Sequence, residues 1–128
     1  MLMKFKVFDK KLKIVRDVKN ISLQNKEVLF YADKFEVNED EDLLDIFRGF
    51  DEVVLMMATG LKDKDGRDIY EGDICYWRRE EFEGIIIVKY SMSNLKWLAD
   101  SNPGEDDLED YKDDYLKVLG NIYEMRRD

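Results

Sequence analysis

Histidine is absent from the 128 residues, which removes Ser-His and Cys-His nucleophile activation, imidazole metal ligands and the usual acid or base at neutral pH. The chain has one cysteine, Cys75, so neither a disulfide framework nor a common zinc site can be assembled. A single cysteine in a strand reads as a small buried hydrophobe. No apolar run approaches the roughly 18 residues of a membrane-spanning helix. The opening MLMKFKVFDKK interleaves charges with apolar residues and lacks the apolar core of a signal peptide, so the expectation is a protein that stays in the cytoplasm of whatever cell makes it. Neither GxxxxGK[ST] nor GxGxxG occurs, which leaves no phosphate loop. Carboxylate pairs remain open to it, but thirty Asp and Glu make accidental proximity so easy that no pair is preferred. The sequence predicts no enzyme, no catalytic residue, no cofactor and no metal.

What is present describes a globular chain of ordinary single-domain length, with hydrophobic content too high for disorder. The formal net charge of -9 argues against nonspecific nucleic-acid binding, because affinity for phosphate backbones comes mainly from Lys and Arg displacing counterions. The charge is uneven. Lys4, Lys6, Lys10, Lys11, Lys13 and Arg16 stand against Asp9 near the start. Asp100, Glu105, Asp106, Asp107, Glu109, Asp110, Asp113 and Asp114 stand against Lys112 further on. Such asymmetry serves intramolecular docking, head-to-tail self-association, a basic partner, or plain solvation.

The chain opens with alternation over Lys4–Phe8 and Leu12–Val15, a hairpin with Phe5 and Val7 facing Leu12 or Ile14. Ile21–Leu23 reads as a short strand and Glu27–Val37 as one kinked or two short strands. From Asn38 to Phe50, an N-cap residue, an acidic first turn and helical spacing of Leu43, Phe47 and Phe50 predict a short helix capped by Gly49. Val53–Ala58 is an apolar run that suits a strand buried on both faces. The stretch TGLKDKDGRDIYEGDI, Thr59 to Ile74, follows. Its Asp65-Gly66 pair is a hairpin signal, because a tight turn needs positive φ and Gly supplies it without a Cβ clash. Asp63, Asp65, Asp68 and Glu71 invite a calcium-loop reading, but counted from Asp63 the glycine is fourth and the twelfth residue is Ile74, which is not an EF-hand. Downstream, Ile74–Trp77, Gly84–Tyr90, Asn94–Leu98 (with Leu95 and Trp97 on one face) and Leu116–Tyr123 are enough strands for a small, strongly bent barrel. Ser101–Asp114 reads as a loop and a short acidic helix carrying Leu108, Tyr111 and Tyr115 at helical spacing. Gly120-Asn121 marks a turn or bulge.

The central stretch resembles the hallmark of the YopX family of phage and prophage proteins, whose pattern is Thr-Gly-Leu-Lys-Asp-x-x-Gly-x-x-Ile-Tyr-x-Gly-Asp-Ile. Every fixed position is filled, by Thr59, Gly60, Leu61, Lys62, Asp63, Gly66, Ile69, Tyr70, Gly72, Asp73 and Ile74. The opening MKFKVFDK and the closing VLGNIYE, Val118 to Glu124, are similar to the family's ends. Residues from Val18 to Phe50 and from Arg78 to Tyr115 carry no matching pattern. The resemblance implies a mainly β protein with a small SH3-like barrel in its C-terminal part, and it brings no activity with it. The expected organisation is an N-terminal β-sheet region with one short helix over residues 1–58 and an SH3-like barrel with a short acidic helix over 59–128, in one folding unit.

Small barrels bind along aromatic-lined grooves, and Tyr70, Tyr76, Trp77, Tyr90 and Trp97 are the aromatics available, although most aromatics in such domains are core. The leading expectation is a non-catalytic protein-binding or assembly module, working through an unspecified protein partner or as a homo-oligomer. The alternative is an acidic DNA mimic that blocks a host nucleic-acid-binding protein through residues 100–114. Direct nucleic-acid binding through the basic N-terminal hairpin ranks below both.

Overall fold

The computed structural model describes residues 4–31, 45–101 and 104–124. Among them the chain is mainly β, and no helix reaches seven residues. It divides into two units, Phe5–Leu55 and a second made of Met1–Lys4 with Met56–Asp128.

In the first unit, β1 (Phe5–Asp9) and β2 (Ile14–Asp17) pair antiparallel. Val7 lies opposite Arg16 and Phe8 opposite Val15, so Phe5 and Val7 do not face Leu12 or Ile14 as expected. Leu12 belongs to a turn whose last residue, Lys13, has φ 60, and the length of that turn sets the register. β3 (Asn20–Ser22), β4 (Glu27–Tyr31) and β5 (Asp45–Gly49) form an antiparallel sheet with β4 in the middle. The end of the expected helix is thus a strand, followed by a 3₁₀ turn at Phe50–Glu52; the start of that helix, and the strand expected to run on to Val37, lie outside the described residues. Ile46 sits opposite Phe30 and Phe47 opposite Leu29, a ladder that outweighs local helical spacing. Val7, Val28, Phe30 and Val53 make the core. Asp9, fully buried, accepts bonds from Arg16 Nε at 3.1 Å, Arg48 Nε at 3.3 Å and the Lys11 N–H at 3.0 Å. A buried carboxylate persists only with such compensation.

β6 (Val53–Lys62) begins beside β1 and runs on into the second unit. Val53 and Met56 are buried, but Leu55 is 42% exposed, so this strand is not covered on both faces as its unbroken apolar run predicted. The expected hairpin forms: β6 turns through residues 63–67 into β7 (Asp68–Tyr70), with Ala58 opposite Tyr70, Lys62 opposite Asp68 and an irregularity between. Then come β8 (Asp73–Arg79), β9 (Phe82–Ser91), β10 (Lys96–Asp100), β11 (Glu105–Asp107) and β12 (Tyr115–Asn121). They form one antiparallel sheet, ordered β11-β10-β9-β8-β12 and curled into a half-barrel. β12 carries a bulge between Val118 and Gly120, where the glycine had marked one. The concave face holds the core: Cys75, Ile86, Val88, Ala99 and Leu116, with Ile69, Leu108 and Tyr111 packed against them. Residues 105–111 form β11 and a single 3₁₀ turn, Leu108–Tyr111, in place of the expected acidic helix, and Tyr115 lies in β12. Leu95 does not share a strand face with Trp97; it lies in the β9–β10 turn, 73% exposed.

Candidate functional site

The stretch from Thr59 to Ile74 is a fastening. Buried Asp63 accepts the N–H groups of Asp65 and Arg67, each at 2.9 Å, on one carboxylate oxygen and that of Val118, at 3.1 Å, on the other. Burial pushes this carboxyl up, but the donors from Val118, Arg67 and Asp65 outweigh it and hold it below the ordinary aspartate value. The Lys64 N–H donates to Leu116 O at 2.8 Å and the Ile122 N–H to Gly72 O at 2.9 Å, so the motif covers the outer edge of β12. Asp73 accepts the Tyr70 N–H at 2.8 Å, and the Gly72 N–H reaches Val88 O on β9 at 2.8 Å. Gly72 has φ 89, and a Cβ there would stand 2.7 Å from the Tyr123 ring; only glycine fits without displacement. Thr59 Oγ1 accepts the Leu61 N–H at 3.1 Å, Lys62 lies 3.7 Å from Asp68, and Ile74 stands opposite Ile87. Ile69 and Tyr70 are buried. The half-buried Glu71 carboxyl is pushed up by burial. The Cys75 thiol, with no exposure, is pushed up to about 12, first by burial and then by Asp73 and Asp63, which leaves it inert at neutral pH.

The expected aromatics do not line a single groove. Tyr76 and Trp77 are consecutive on β8 and point to opposite faces. Tyr76 packs edge-on against Tyr115, which Lys64 and Arg78 flank, and its hydroxyl donates to Glu83. Trp77 turns inward, edge-on to Tyr111 at 5.4 Å. Tyr90 and Trp97, directly opposed on β9 and β10, make a third edge-on pair at 5.0 Å.

Trp97 also lines a cleft of about 430 Å³. One wall is the irregular part of β6, Thr59, Gly60 and Leu61; the other is Lys96 and Trp97 of β10 with residues 107–109. The opening therefore lies where the half-barrel's β11 side stays apart from β6. Leu61 and Trp97 supply its apolar surface, with the buried Leu108 behind them, and the Lys96–Asp107 ion pair, at 2.7 Å, sits on its rim. The structure thus joins two features read separately in the sequence, the motif's first three residues and one of the aromatics. Lys96, Asp107, Leu108 and Glu109 complete the site; nothing in their spacing pointed there. A second, acidic cleft of about 510 Å³ is lined by Arg79, Asp106, Asp110, Tyr111, Asp113 and Asp114. Among the acids from Asp100 to Asp114, Asp100 pairs with Lys89, Asp107 with Lys96, Glu109 with Lys112 and Asp114 with Arg79. Among the described residues no three His, Cys, Asp or Glu side chains are grouped to hold a metal ion, and no helix is long and apolar enough to cross a membrane.

A family model described as YopX protein matches residues 4–126, nearly the whole chain. The chain belongs to the YopX family. For this YopX chain, a search of curated proteins finds no match. Among solved structures, protein EF1440 from Enterococcus faecalis is similar, with a TM-score of 0.61 and 19% identity over 97% of this chain and 95% of that one. At that identity the likeness speaks for the fold alone. Within the YopX pattern, Asp63, Gly72 and Asp73 have structural tasks, while Thr59, Gly60 and Leu61 also reach the cleft.

Proposed function

We propose that this protein is a non-catalytic protein-binding module of phage or prophage origin, whose SH3-like half-barrel takes an apolar side chain of a protein partner between the Thr59–Leu61 segment and Trp97. The observation that carries this reading is the cleft itself: a concave, mainly apolar opening with a few polar groups on its rim, the form that binding sites commonly take. Trp97 is held by Tyr90 before any partner arrives, so little side-chain freedom is lost on binding. The lack of histidine, and the structural tasks of the motif's acids, favour a surface role over reaction chemistry. Pairing of Asp100, Asp107, Glu109 and Asp114 with nearby cations weighs against the acidic face as a phosphate mimic.

The test selects a random peptide library on the immobilised full chain, then follows binding through the indole N–H signals of its two tryptophans. Selected peptides should shift the Trp97 signal, leave that of Trp77 in place, and bind at least about tenfold more weakly to Trp97→Ala, a loss of about 1.4 kcal/mol. Selection of nothing above background would overturn the reading.

A further inference from the structure

Among the described residues β11 is an edge strand. It pairs with β10 on one side, Leu98 opposite Asp107, Ala99 opposite Asp106 and Asp100 opposite Glu105, and it ends the strand order of its sheet. At its Asp107 end the apolar cleft opens, with β6 across the gap. The opposite edge of the same sheet, β12, is covered by the motif, so the two edges are treated differently. Around β11 acids outnumber cations: Glu105, Asp106, Asp107, Glu109 and Asp110 stand against Lys96 and Lys112, which pair with Asp107 and Glu109. An acidic edge repels acidic strands and favours a basic one.

We infer that the occupant of the cleft is an extended segment of a partner protein, alternating Lys or Arg with an apolar residue, which adds as a strand along the free edge of β11. This rests on the binding-module reading and deepens it. Side chains of an added strand alternate in direction. One set drops an apolar group onto Trp97; the other sets its cations beside Glu105 and Glu109. Main-chain bonds to β11 supply affinity, the pocket supplies position, and the acids select by charge.

The same peptide selection tests this separately from the module itself. Binders should be enriched in alternating basic and apolar residues and should weaken with added salt. They should also bind about tenfold more weakly to the Glu105→Lys/Glu109→Lys chain, since both carboxylates are exposed and their loss spares the core. N-methylation of alternate peptide amides should abolish binding in one register and leave it intact in the other. Peptides that shift the Trp97 signal but are acidic, helical or indifferent to N-methylation would overturn the inference and leave the binding module standing. Self-association of the chain that Trp97→Ala abolishes would name a second copy as occupant and overturn it as well. With no binder at all, both readings fall.

Discussion

At the scale of single residues, the motif is a set of backbone obligations met by side chains. Asp63→Ala leaves the N–H groups of Asp65, Arg67 and Val118 without their acceptor, and each partly buried orphan donor costs about 1 kcal/mol or more. A loss of about 2–4 kcal/mol is expected, read as a fall in the urea midpoint with unchanged slope. The glycines separate conformation from contact. Gly60 and Gly72 both have φ 89, yet a Cβ at Gly60 meets nothing within 4 Å, whereas one at Gly72 meets Tyr123. Gly60→Ala should cost about 1 kcal/mol from backbone strain alone, and Gly72→Ala about 2–3 kcal/mol because the tyrosine ring must also move. Equal losses at the two sites would mean that the Tyr123 contact carries no weight. These tasks were only half legible in the sequence. Gly66 announced a turn because positive φ is a local property, but the reach of Asp63 to Val118 spans 55 residues and leaves no local trace.

Among the elements, the hairpins show where local rules succeed and where they stop. Asp65-Gly66 marked its turn. Lys10–Lys13 has no turn-forming residue, and in the β9–β10 turn Leu95, not its neighbours Ser93 and Asn94, takes the left-handed position, as Lys13 does in the first, so their register and extent could not be read. β5 was misread as a helix end because Phe47 and Phe50 keep a helical spacing, while the partners that decide the matter, Leu29 and Phe30, lie on β4. Leu95 is a leucine in the left-handed region and 73% exposed, so it carries strain that no packing repays. Leu95→Asn should therefore raise stability by about 0.5–1 kcal/mol, measured by thermal or urea unfolding. A destabilised variant would show that the exposed leucine makes a contact of its own.

For the whole molecule, acid response follows from groups displaced in opposite directions. The Glu71 carboxyl is raised by burial above the ordinary glutamate value of 4.5, so its ionised form disfavours the fold and stability rises as pH falls toward that value. Asp63, and Asp68 through its hydrogen bond with Lys4, lie below 3.8; their contribution is present above 3.8 and lost as pH falls through the folded values. Unfolding free energy should thus pass through a maximum in mild acid and drop below about pH 4. Part of the rise comes from the falling net charge of -9. Glu71→Gln should flatten the remainder, and a profile unchanged by that substitution would contradict the assignment. The cleft was invisible at any smaller scale, since Leu61, Trp97 and Leu108 meet only once the half-barrel exists. The pairing of β12 with β8 also governs the order of events at the ribosome. Until residues 115–121 emerge, β8 waits with one side of its backbone and Ile74, Cys75, Tyr76 and Trp77 lacking their β12 neighbours, a sticky surface of the kind chaperones hold. A released chain truncated before Tyr115 should therefore aggregate or bind chaperones, and the full chain should not.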